Sequence, residues 1–302
     1  MLWRDKRKSS NIEDRRHMRS PRLVGMGGGG GMLRLLPLVF RFMGFKGTII
    51  ILILAGAYAL FSGNLGNILI GLGLQPGTPT RMATEPLYES AAEKELGDFV
   101  AVVLADTEET WTTLFSQKGL TYQEPRLVLF RDAVASACGM AQSAVGPFYC
   151  PSDQQIYLDL DFFDQLQNRF KAPGDFAQAY VLAHEVGHHV QTLLGISSKV
   201  QTARGNLSRV QGNELSVRLE LQADCFAGVW ASHAHSTRQL LETGDVEEGL
   251  TAASAIGDDN LQKQGQGYVT PDSFTHGSSS QRVQWFKIGL ATGEMDSCDT
   301  FQ

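Results

Sequence analysis

Apolar residues recur with a helical period between Leu87 and Gln117, at Leu96, Phe99, Val100, Val103, Leu104, Trp111, Leu114 and Phe115. That spacing predicts a long amphipathic helix. Arg126–Phe130 reads as a short strand. So does Gln155–Leu160, where Ile156, Leu158 and Leu160 alternate with other side chains. Asp175 is placed to cap a helix that runs to about Leu194 and is closed by Gly195. Further helices are expected near Glu214–His235, Val246–Gln262 and Ser279–Ala291. No internal repeat is visible. Residues 81–302 therefore read as one α+β domain.

The pattern upstream is different. From Gly47 to Thr80 no residue is charged, and Thr48–Phe61 is almost wholly apolar. A buried helix of a soluble core is one reading of such a run; a membrane anchor over 48–74 is the other. Charge favours the anchor. Residues 1–47 hold eleven Lys/Arg against three acids, a charge of +8, whereas 48–302 carries −14. By the positive-inside rule the basic side stays in the cytoplasm and the body lies in the periplasm or outside the cell. The expected organisation is then a basic cytoplasmic tail with a Gly-rich linker (1–47), a single N-terminal transmembrane helix contacting membrane lipid (48–74), a turn-rich linker (75–80) and the folded domain (81–302). The whole chain has a net charge of −6 and a pI near 5.7, which argues against a nucleic-acid partner. The oligomeric state is not encoded in any visible pattern.

Chemistry concentrates in Ala183-His184-Glu185-Val186-Gly187-His188-His189. Residues four apart on a helix share one face, so His184 and His188 can grip one metal. Glu185, one step round, can reach a water at that metal without becoming a ligand. A catalytic zinc site needs three protein ligands, an open position and a base. The bland alternative is a surface helix with unremarkable histidines. Gly187 weighs against it, because glycine inside a helix costs about 1 kcal/mol relative to alanine and is useful where another group must come close. His189 points away from the shared face. The third ligand is sought in Glu220-Leu-Gln-Ala-Asp224. Glu220 can complete a two-His, one-Glu set, and Asp224, one turn later, can accept the remaining N–H of a ligand imidazole. Glu214, His233 and His235 are the reserve ligands. Ala223, Ala227 and Gly228 are small enough for close helix packing.

These motifs, with Cys138-Gly139, Gly146-Pro-Phe-Tyr-Cys-Pro151, Tyr157-Leu-Asp-Leu160 and Thr275-His276-Gly-Ser-Ser-Ser-Gln-Arg282, resemble the neutral zinc metallopeptidase family of bacteria and, more broadly, the gluzincin peptidases. The resemblance covers nearly the whole chain. It implies a zincin-like domain behind one membrane anchor, a Zn2+ cofactor held by His184, His188 and Glu220, and Glu185 as catalytic base. It also singles out His276 and Arg282, of which the His or the Arg would be placed to stabilise the oxyanion or brace the metal-site helix. A capping loop with a surface arginine is the competing reading of that pair. Tyr149, Tyr157 and Tyr268 are further candidate donors to an oxyanion, and the residues do not choose among them.

Outside the cytoplasm four cysteines allow two disulfides in three pairings. Cys138–Cys150 would be the local bridge, and Cys225–Cys298 would pin the C-terminal tail. Buried free thiols are the alternative. Together the residues point to a membrane-anchored zinc endopeptidase acting on a peptide or protein. The rival is a non-catalytic zinc-stabilised module that binds peptides or membrane partners.

Overall fold

Ser90 and Glu93 open the first helix with a reciprocal pair of bonds. The Ser90 hydroxyl accepts from the Glu93 N–H, and the Glu93 carboxylate accepts from the Ser90 N–H. In the computed structural model, which describes residues 1–18, 89–142 and 146–302, this helix is α1 (Ala91–Gln117). It follows strand β1 (Ile12–Asp14). Next come β2 (Arg126–Phe130), the hairpin β3 (Ala133–Ser136) and β4 (Gly139–Gln142), then β5 (Phe148–Cys150), β6 (Gln155–Asp159) and α2 (Asp161–Asn168). The helices α3 (Asp175–Leu193), α4 (Ile196–Arg204), α5 (Arg209–Ser236), α6 (Asp245–Ala255), α7 (Asp258–Gln266) and α8 (Ser279–Thr292) complete a mixed helix-and-sheet fold of the α+β kind.

The main sheet has the order β1-β2-β6-β5. The first three strands are parallel, with Leu127 opposite Ile156 and Leu129 opposite Leu158. β5 runs antiparallel on the edge. Leu127 and Leu129 face the helices, whereas Val128 and Phe130 face a second core with Val134, Cys150 and Tyr157. A sheet covered on both faces explains why β2 is a continuous apolar run rather than an alternating one. The Cys138–Cys150 disulfide ties the hairpin to the edge strand β5 (S–S 2.05 Å), and Cys225–Cys298 ties the tail to α5 (S–S 2.00 Å).

Three expectations need correction. The helix capped by Asp175 is capped by Gly174 instead, at φ 114°, and Asp175 is its first residue. The single helix expected over Val246–Gln262 is two, α6 and α7, broken at Ile256–Gly257. A side chain at Gly257 would meet Ser279 N at 2.4 Å, so the start of α8 fills the break.

The third correction concerns the basic arm. Residues 1–18 are not a separate tail. They belong to the compact unit Met1–Ser20 and Tyr88–Gln302. Met1 and Trp3 are buried in the main core, β1 extends the sheet, and Ser9 N donates to Ala101 O at 2.9 Å. The basic side chains find acids of the body: Arg4–Glu95, Arg7–Glu108, Lys8–Asp98 and Arg16–Glu89 lie at 2.5, 2.9, 2.8 and 2.7 Å. The charge split along the chain is thus partly an internal neutralisation. The second unit, Pro21–Leu87, contains the expected anchor (48–74) and linker (75–80) and lies outside the described residues. Among the described residues no helix is long and apolar enough to cross a membrane.

Candidate metal centre

α3 and α5 cross closely, and the crossing is built from small residues. A Cβ on Gly187 would meet Ala223 O at 2.9 Å and Ala223 Cα at 3.0 Å. α5 packs as tightly on α8, where Gly228 faces the Phe286 carbonyl and Gly289 the Cys225 carbonyl. This brings His184 and His188 on α3 against Glu220 on α5. Glu220 Oε2 lies 3.2 Å from His184 Nε2, and Oε1 lies 3.4 Å from His188 Nε2. One ligand atom from each of the three residues falls within 4.8 Å of the other two.

The Nδ1 atoms of both rings are occupied elsewhere. Asp224 Oδ1 sits 2.8 Å from His184 Nδ1, and Gln191 Oε1 sits 2.9 Å from His188 Nδ1. Each acceptor fixes an N–H at Nδ1 and leaves the Nε2 lone pair facing Glu220. Asp224 is fully buried and in turn held. Arg282 Nε and Nη2 donate to its two oxygens, both at 2.8 Å, and the Tyr180 hydroxyl donates to Oδ1.

The charges explain the titration. Burial alone would lower the His184 pKa, but Asp224 and then Glu220 outweigh it and raise it to about 10. His188 is also raised against its burial, by Glu220. Asp224 is held down at about 2, burial being outweighed by Arg282 and His184. Burial would raise the Glu220 pKa, but His188 and His184 outweigh it and push it well below its usual value. Without a metal the pocket thus draws protons to the imidazoles; a divalent cation suits the same negative field and the same lone pairs. Two imidazoles and one carboxylate match the donor set of a three-ligand zinc site.

Glu185, His276 and Arg282 line the same cavity as the three candidate ligands, a space of about 670 Å³. Its apolar wall includes Phe148, Phe162, Phe170, Val181 and Ile256. His276 Nδ1 lies 3.2 Å from Asp258 Oδ1. Asp258 Oδ2 also accepts from the N–H groups of Thr275, His276 and Gly277. That bond to Asp258 is the main cause of a raised His276 pKa.

Of the three tyrosines, Tyr149 lines the cavity. Tyr157 donates to Asp153 at 2.8 Å, and Tyr268 is 64% exposed; neither lines it. His189 faces away from the three candidate ligands. Its Nε2 donates to Gln123 O at 2.6 Å, so its Nδ1 accepts from the Tyr149 hydroxyl at 3.1 Å. The reserve ligands Glu214, His233 and His235 do not join the group; His233 Nε2 instead donates to Gly293 O at 2.9 Å. A second cluster of acids, Asp175, Asp245 and Glu248, sits at the start of α3, where the Met1 ammonium lies 3.0 Å from Asp175 and 3.4 Å from Asp245.

No motif in the sequence singles out Tyr180, Gln191 or Asp258. Tyr180 lies four residues before His184, and Gln191 three after His188, so the helical period could have placed both near the histidines. Asp258 had no such signal, because the break between α6 and α7 delivers it.

Residues 1–301 match the family described as "Putative neutral zinc metallopeptidase". The chain belongs to this family. The "Uncharacterized protein YpfJ" of Escherichia coli (strain K12) is 48% identical over 301 residues, which cover 100% of this chain and 99% of that protein. The "Uncharacterized protein Rv2575" of Mycobacterium tuberculosis (strain ATCC 25618 / H37Rv) is 46% identical over 191 residues, 60% of this chain and 63% of its own. No solved structure matches. Family membership implies zinc, and the His184, His188 and Glu220 group is where the residues fit it.

Proposed function

We propose that the protein is a zinc-dependent endopeptidase of zincin-like architecture, attached to a membrane, with zinc held by His184, His188 and Glu220. The observation that carries this is the placement of Glu185 on the cavity shared by the three donors, beside His184. A purely structural metal site needs neither a base nor an open cleft, which weighs against a non-catalytic binding module.

Bound zinc would supply Lewis acidity at the head of the cavity. Glu185 takes the proton of the attacking water and later delivers it to the leaving amine. His276, held by Asp258, donates to the carbonyl oxygen as negative charge builds there. Arg282 neutralises Asp224 and keeps it aimed at His184. The apolar wall receives side chains of an extended peptide.

Membrane attachment rests on the uncharged run from residue 47 to 80, and a disulfide-permitting compartment on the two bridges. Because residues 1–18 pack with the domain, this reading puts the arm and the domain on the same side of that membrane.

The test compares wild type with Glu185→Gln on a fluorogenic peptide library, with bound zinc measured in both. Zinc content should be equal and turnover should fall by roughly 100-fold or more. Full activity in Glu185→Gln would remove the base from this assignment.

A further inference from the structure

We propose that Gln191 is the positioning residue of the second metal ligand, His188, and that a buried amide relay holds it in that role. The proposal rests on the metal-centre reading above and adds a residue that the three-ligand scheme does not contain.

Gln191 is fully buried. Its Nε2 donates to Leu219 O at 2.6 Å and to Gln222 Oε1 at 3.1 Å. A backbone carbonyl can only accept, so the amide nitrogen must face Leu219 and the amide oxygen must face His188. His188 therefore carries its proton on Nδ1 and presents Nε2 towards Glu220. Leu219 immediately precedes Glu220, so one side chain links His188 on α3 to the turn of α5 that supplies the third ligand. The distance between two ligands on different helices is thereby fixed.

The relay continues. Gln222 Nε2 donates to Cys298 O at 2.9 Å, and Cys298 is bonded to Cys225 of the same helix α5. Thr300 Oγ1 donates to Arg218 O at 2.7 Å. The C-terminal tail thus grips the turn that carries Glu220.

The chemistry explains why this position is an amide. His184 is oriented by a carboxylate whose charge Arg282 cancels. Glu185 and Glu220 add two further acids to the cavity. A second carboxylate behind His188 would weaken the positive field of the metal. It would also set an oxygen against the Leu219 carbonyl. A neutral amide accepts from His188 without either cost.

The experiment measures zinc affinity by chelator competition, and the visible spectrum after cobalt substitution, in wild type, Gln191→Met and Gln222→Met. Gln191→Met keeps the length and removes the acceptor. It should bind zinc roughly 10–100-fold more weakly and shift the cobalt bands. Gln222→Met keeps the His188 acceptor and should lose clearly less. Zinc affinity within twofold of wild type in Gln191→Met, or an equal loss in both variants, overturns the proposal. If Gln191→Met does not fold, 15N-histidine spectra of zinc-loaded wild type decide. A protected Nδ1–H on His188 supports the assignment, and coordination through Nδ1 overturns it. Wild type that binds no zinc overturns the metal-centre reading and this proposal with it. Wild type that binds zinc while Gln191→Met binds equally well overturns this proposal alone.

Discussion

Asp224 Oδ1 lies 2.8 Å from Nδ1 of His184, one helical turn beyond Glu220, whose carboxylate lies on the other side of the same ring. Two acids on one face of α5 thus address opposite nitrogens of one imidazole. Glu220 shares the inner space with the two Nε2 atoms, and Asp224 stands behind. Asp224→Asn should weaken zinc binding by roughly 10–100-fold without abolishing it. It should also leave the buried Arg282 guanidinium without its counter-charge, at a cost of about 3–5 kcal/mol. Chelator competition and thermal unfolding of the metal-free protein measure the two effects separately. A variant that loses neither affinity nor stability would remove Asp224 from this role.

The His276–Asp258 pair sets a second test. The Asp258 carboxylate raises the His276 pKa, and burial of Asp258 is outweighed by His276, so its own pKa is lowered. Glu220 also favours the charged imidazole and Arg282 opposes it. A raised histidine stabilises the fold fully below its unfolded value of about 6.5 and loses this as pH rises through the higher folded value. A lowered aspartate contributes above about 3.9 and loses this as pH falls through its folded value. The pair is therefore fully charged between these two limits. If His276⁺ donates to the carbonyl oxygen, the alkaline limb of kcat/KM follows its deprotonation. Asp258→Asn should move that limb to lower pH. An unmoved limb would separate His276 from the chemistry.

The arm gives a topological prediction. Ser10 and Gln201 are both exposed, one on the arm and one on the domain, and all native cysteines are paired. Single Ser10→Cys and Gln201→Cys variants in intact cells should react alike with a membrane-impermeant maleimide. Labelling of one with protection of the other until lysis would mean that the arm and domain lie on opposite sides.

Much of the site was legible because helical spacing is rigid. His184, Glu185 and His188, and the pair Glu220 and Asp224, needed only the 3.6-residue period to be placed. The two parallel strands β2 and β6 were legible from apolar runs with strand period. What was not legible depends on contacts distant in sequence. β1 is three residues long, lies in a basic segment, and becomes a strand only by pairing with β2. Charge counting treated Arg4, Arg7, Lys8 and Arg16 as a topological signal, whereas four acids of the domain are their partners. The break at Gly257 exists because α8 starts there, and no local pattern announces it.

Gly187 provides the last prediction. Alanine is a better helix former than glycine by about 1 kcal/mol, so on propensity alone Gly187→Ala should stabilise α3. The crossing with α5 opposes this. The new methyl would stand 2.9 Å from Ala223 O and 3.0 Å from Ala223 Cα, both backbone atoms that cannot rotate aside. The helices must separate by some tenths of an ångström, and overpacking of this kind costs about 1–3 kcal/mol. The separation acts directly on the candidate metal centre, because His184 and His188 flank Gly187 on α3 while Glu220 sits three residues before Ala223 on α5. Gly187→Ala should therefore lower the melting temperature of the metal-free protein. It should also weaken zinc binding by more than Gly212→Ala, which alters α5 where the nearest atoms are those of the flexible Arg204 side chain, 3.7 Å away. A raised melting temperature with unchanged zinc affinity would show that the α3–α5 crossing tolerates a side chain, and that Gly187 is not what sets the spacing between the histidines and Glu220.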